Sequence, residues 1–136
     1  MGRYRGQRGD SKSYIDCLDK SDDDLEAARI LKNCRGDNEI IAFHCQQCIE
    51  KALKAYLLLK AGRHFDGHSL IYLCRKACDF DESFKQWLDE SADLNRYYIE
   101  TRYPADMPLN ISDKQIEKLY KMAFDMFSYI EGKIAA

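Results

Sequence analysis

Asp37-Asn38-Glu39-Ile40-Ile41-Ala42-Phe43-His44-Cys45-Gln46-Gln47-Cys48-Ile49-Glu50-Lys51-Ala52-Leu53-Lys54-Ala55-Tyr56-Leu57-Leu58-Leu59-Lys60-Ala61-Gly62 decides the fold class. Within it Ile41, Cys45, Cys48, Ala52, Ala55 and Leu59 step by four, three, four, three and four, which lines one face of an α-helix and fits no strand. Asp37 or Asn38 can cap its start, and Gly62 can end it in the left-handed conformation that a residue with a Cβ enters at a cost.

The same periodicity continues outward in both directions. Tyr14, Leu18, Leu25, Ala28 and Leu31 predict a preceding helix from Ser13 with a weak middle from Ser21 to Asp24 and a stop at Gly36. The short loop between the two predicts an antiparallel hairpin. Downstream of a loop from Gly62 to Gly67, Leu70, Leu73, Cys74, Ala77 and Cys78 make a short third helix. Phe84, Trp87, Leu88, Leu94 and Tyr98 make a fourth that must end before Pro104. Pro104 and Pro108 hold the segment from Tyr103 to Asn110 irregular. Ser112 and Gln115 then have capping-box spacing, with Ile111 and Ile116 as the hydrophobic staple, and Ile116, Leu119, Ala123, Phe127, Ile130 and Ile134 follow as the last stripe. The expectation is an all-α, antiparallel up-and-down bundle of about four to five helices, without strand or repeat.

The bulk composition agrees with one domain. The chain has 136 residues, 46% of them hydrophobic, and Lys plus Arg at 21 against Asp plus Glu at 23 leave a formal net charge of -2. That balance supplies no general field for a polyanion, so a nucleic-acid partner would need a local patch. No stretch reaches the roughly 20 apolar residues of a membrane span, and no export signal precedes the core, so the expected location is the cytoplasm, with the six cysteines reduced. Residues 1–12, with Arg3, Arg5, Arg8 and Lys12, read as a flexible basic tail, and residues 13–136 as the folded domain.

Three constellations could carry chemistry, and each has a plainer reading. Cys45-x-x-Cys48 with Cys74-x-x-x-Cys78, and His44 beside them, could hold zinc, but these cysteines lie on apolar stripes where a thiol behaves as a small hydrophobe, so no metal or cofactor is expected. Arg63 and His68 have the spacing of a cation and a proton-handling imidazole around a phosphate, against which stands an ordinary histidine at a helix entrance. Asp22-x-Asp24 resembles a magnesium carboxylate pair without the glycine-serine turn or strand that such chemistry requires, and reads instead as a solvated acidic face. On the second helix, Gln46, Gln47, Glu50, Lys51 and Lys54 crowd one polar face, with Glu50 and Lys54 in the favourable four-residue order, and the plainer reading is a solvated face with one ordinary ion pair. Arg102-Tyr103-Pro104 offers an arginine for phosphate and an aromatic ring for a base.

The segment Ala42 to Leu57 resembles the signature second helix of the HEPN domain family. His68-Ser69-Leu70 with Leu73 resembles that family's His-x-Leu helix start, Leu94-Asn95 part of its next helix, and Tyr98 through Thr101-Arg102-Tyr103-Pro104 its Tyr…Thr-Arg-Tyr-Pro stretch. The resemblance spans about Asp24 to the C-terminus; Gly67 stands where the family tends to have a threonine. It implies a helical bundle, usually a homodimer, that binds a nucleotide or RNA or partners a separately encoded minimal nucleotidyltransferase in systems like toxin–antitoxin pairs. Carried over by position, Gln47, Glu50, Lys51 and Lys54 would line a nucleotide groove, His68 would stand at its rim, and Tyr98, Arg102 and Tyr103 would stack and close it. The family's ribonuclease branch carries an arginine followed four to six residues later by a histidine, late in the bundle. No histidine follows Arg96 or Arg102 here, which counts against ribonuclease activity; a metal-independent ribonuclease using Arg63 or Arg102 with His68 is the enzymatic alternative to a non-catalytic module, and a purely structural dimerisation module the other.

Overall fold

The structure, a computed structural model, describes residues 12–99 and 110–136. They form helices α1 (Lys12–Asn33), α2 (Asn38–Ala61), α3 (Leu70–Cys78), α4 (Leu88–Ile99) and α5 (Asp113–Ala135), with a short 3-10 helix (Glu82–Trp87) before α4. No strand occurs among the described residues. The all-α bundle expected from the sequence is the fold.

Side-chain pairings give the helix directions. Ser21 meets Cys48 while Asp24 meets His44, so α1 and α2 are antiparallel. Asn38 bonds Ile111 and Asp113 at one end, and Tyr56, Phe84 and Tyr129 pack together towards the other, so α5 runs parallel to α2. Tyr98, near the end of α4, lies beside Phe43, near the start of α2, so these two are antiparallel. Helices α1, α2, α4 and α5 thus run up, down, up and down, with α3 as a short extra helix. α2 packs on all the others, and its stripe of Ile41, Cys45, Cys48, Ala52 and Ala55 is fully or almost fully buried. Cys45, Cys48 and Cys74 are core residues, and no group of three or more His, Cys, Asp or Glu among the described residues is arranged to hold a metal. Among those residues no helix is long and apolar enough to cross a membrane.

The helix ends follow their chemistry, with three corrections. Asp37, not Asn38, is the cap of α2, accepting from the Glu39 amide at 2.8 Å, and Gly62 ends the helix at φ 72°. The capping box at Ser112 and Gln115 is complete. The weak middle expected in α1 is continuous helix, because buried Ser21 donates to the Cys48 carbonyl at 2.6 Å and is held by tertiary contact instead of propensity. The stop after α1 is a Schellman turn whose left-handed residue is Arg35 (φ 56°), with the Gly36 amide donating to Leu31 O at 2.7 Å and the Arg35 amide to Lys32 O at 3.3 Å. Gly36 is there for closeness: a Cβ on it would lie 3.0 Å from Leu31 Cδ2. The predicted fourth helix is split, since Asp81 caps a 3-10 turn that seats Phe84 and Trp87 before α4 begins at Leu88.

Candidate functional site

One flank of α2 carries a line of polar side chains between α1 on one side and α4 with the loop before α3 on the other. From His44 to Lys54 the helix rises about 15 Å. Two carboxylates organise this strip, each between a lysine and a histidine.

The first is Asp24 of α1, only 9% exposed. It accepts from Lys51 Nζ at 2.6 Å on one oxygen, and His44 Nδ1 lies 2.9 Å from the other. The second is Glu50 of α2, 4% exposed. Lys54 Nζ donates to its Oε2 at 3.2 Å, Gln46 Nε2 donates to its Oε1 at 3.2 Å, and His68 Nδ1 lies 3.1 Å from both oxygens. A carboxylate only accepts, so in both histidines Nδ1 carries the hydrogen and Nε2 is left for another partner. Gln47 donates to Gln46 Oε1 at 2.7 Å and thereby fixes the orientation of the fully buried Gln46 amide. A carboxylate this far from water is tolerable only because each has a cation and further donors. Cys17 of α1 completes the wall; burial pushes its thiol up, Asp16 adds to that, and Lys54 and Lys51 oppose it.

Aromatic rings cover the α4 end. The His68 ring stacks on Tyr98, with centroids 4.2 Å apart and planes at 14°, while Phe43 lies 6.4 Å from Tyr98 and 6.1 Å from His44. Three features place His68 there. Gly67 adopts φ 96°, which turns the loop towards α2. Ser69 caps α3 by accepting from the Tyr72 amide. The Leu70 amide, free at a helix start, donates to Asn95 Oδ1 at 2.6 Å, which binds the loop to α4 one turn before Tyr98.

A protein-family model for the HEPN domain matches residues 14–133. The chain belongs to the HEPN domain family. Two solved structures are similar to this HEPN domain over nearly their whole length. TT1696 from Thermus thermophilus is 26% identical with a TM-score of 0.73, and the match covers 98% of this chain and 99% of that one. ST0689, an archaeal HEPN homologue, is 25% identical with a TM-score of 0.70 over 89% of this chain and 97% of that one. No curated protein sequence matches the chain.

Of the residues singled out in the sequence, Gln47, Glu50, Lys51, Lys54, His68 and Tyr98 come together in this HEPN domain. Arg102 and Tyr103 lie outside the described residues. Arg63 has its guanidinium 3.9 Å over the Phe65 ring, whereas His68 faces Glu50 and Tyr98, so the two sides of the Arg63/His68 spacing have different partners. Glu50 and Gln46 are interior groups, not parts of a solvated face. Asp24, read as solvated, is the anchor of half the strip, and His44, weighed only as a zinc ligand, is its neighbour. A signal for Asp24 was present: Cys17, Ser21, Asp24 and Ala28 step by four, three and four along α1. Asn95 acts through the α3 start, which no periodicity reveals.

Proposed function

We propose that this HEPN domain is a nucleotide-binding and interaction module, acting as a homodimer with a separately encoded nucleotidyltransferase in the cytoplasm. The observation that carries the nucleotide part is the polar strip on α2, with Lys51 and Lys54 fixed by Asp24 and Glu50, and with His68 stacked on Tyr98 at one end. Two ammonium groups held about one helical turn apart give phosphate oxygens a preformed set of donors. Gln47 and the aromatic rings offer a hydrogen bond and stacking surface to a base. The ribonuclease alternative gains no support from the described residues, because Arg63 is occupied over Phe65.

The test is a thermal-shift series with ATP, GTP, AMP and short RNA on the unaltered chain and on Lys51→Gln/Lys54→Gln. A ligand at about 100 times its Kd should add about 2.7 kcal/mol, and the double variant should lose that gain while staying folded. If no ligand raises the melting temperature, the strip is an interface or a structural network, and the partner-binding half of the reading stands alone. A chain that sediments as a monomer at its highest soluble concentration removes the homodimer.

A further inference from the structure

Among the described residues the strip pairs two carboxylates with two lysines, two negative charges against two positive, so each proton taken up by an imidazole adds to its attraction for an anion. Each imidazole that takes a second proton adds one positive charge at a place already fixed by a carboxylate.

We propose that the strip binds its anionic ligand together with protons, one at Nε2 of His68 and one at Nε2 of His44, so that affinity for a phosphate-bearing ligand rises as pH falls. This rests on the nucleotide-binding reading and adds its regulation. The geometry is specific about the site of uptake. Nδ1 of each ring already has its hydrogen directed at Glu50 or Asp24, so the incoming proton comes from solvent and goes to Nε2, and no bond within the network has to break. The resulting imidazolium is attracted by the same carboxylate that orients the ring.

Among the described residues, each imidazole is paired with one carboxylate and stands near one lysine. His68 is faced by Glu50 and Lys54 of α2 and by the Tyr98 ring of α4; its own side chain is 51% exposed, which leaves it reachable by both proton and ligand. His44 is faced by Asp24 of α1 and by Lys51, which shares that carboxylate from further along α2; Cys17 of α1 lies near both lysines. In each set the lysine repels a second cation and the carboxylate attracts it. A bound phosphate adds the negative charge that tips this balance towards the imidazolium, which is why ligand and proton would bind cooperatively.

The probe should not itself titrate, so diadenosine pyrophosphate is suitable, its two phosphates each keeping one charge across the range used. Affinity is measured by calorimetry between about pH 8.5 and about pH 5.5, where imidazole changes charge. One linked proton gives up to about tenfold tighter binding per pH unit, and two give more. His68→Gln/His44→Gln keeps an amide donor to each carboxylate, so the variant should stay folded and bind with affinity nearly independent of pH. His64→Gln, in the exposed loop, should keep the full pH dependence. Binding of equal strength at both ends of the range, or an unchanged slope in the double glutamine variant, overturns the proton linkage while leaving nucleotide binding intact. No binding at any pH, to this probe or to ATP, overturns the nucleotide reading on which it rests.

Discussion

Cys48 and Glu50 stand two residues apart on α2 and are both buried, yet the two flanks they belong to are held in different ways. On the Cys48 side the groups are apolar or behave so, and apart from the Ser21 hydrogen bond to the Cys48 carbonyl their neighbours contribute shape and volume. Burial pushes the Cys48 thiol well up, a push that the Ser21 hydrogen bond opposes, and the group simply stays neutral. On the Glu50 side every polar group needs a named partner, and the partners come from separate places in the chain: Gln46 and Lys54 on the same helix, His68 in a loop, and Tyr98 of α4 stacked behind it. The first flank tolerates any hydrophobic residue of similar size. The second is a fixed set, in which removing one member leaves a charge stranded.

The largest break of this contrast comes from the apolar flank. Leu53→Ala, at a fully buried position, should cost about 3 kcal/mol in urea unfolding, since both transfer energy and a cavity count against it. Lys51→Met on the other flank removes one partner of Asp24 but leaves His44, and because the lysine side chain is one-third exposed it should cost about 1–2 kcal/mol. If the lysine variant proved the more damaging of the two, the polar strip, and not the core, would dominate the stability of α2.

Alkali sharpens the same comparison. Burial pushes the Cys45 thiol up to about 12, and the Cys74 thiol, by the same cause, to about 11, against 9.0 for an ordinary thiol. These groups are raised in the fold, so their contribution is complete below about pH 9 and is lost as pH rises from there towards 11 and 12, where only the unfolded chain ionises readily. The urea midpoint should therefore fall between about pH 9 and about pH 11, and fall less in Cys45→Ala. An identical decline in that variant would show that the thiols do not report on the dry flank.

The smallest effect tests a turn far from both flanks. Arg35→Gly should stabilise by about 0.5–1 kcal/mol by relieving a left-handed residue that carries a side chain, a gain partly offset by the freer unfolded chain. Gly36→Ala should destabilise by a similar amount, about 1 kcal/mol, as its methyl group meets Leu31.

The residues of the sequence that foretold the structure are those whose neighbours are close in the chain. The α2 stripe, the Gly62 stop and the box of Ser112 with Gln115 are each decided within a turn or two of helix, because 3.6-residue geometry and orphan backbone groups leave few options. The family pieces also named Gln47, Glu50, Lys51, Lys54, His68 and Tyr98 as sharing one groove with Arg102 and Tyr103, the last two lying outside the described residues. What the sequence by itself left open is which of them face water and what each touches. Asp24 looked solvated until α1 packed antiparallel on α2 and set it against His44 and Lys51, and Ser21 looked like a weak point until it met Cys48 O. Asn95 became a support for His68 only when α4 passed the start of α3. Periodicity fixes which side of a helix is apolar, but a buried charge is permitted by partners distant in sequence, and only the packing of the helices brings those partners within hydrogen-bond reach.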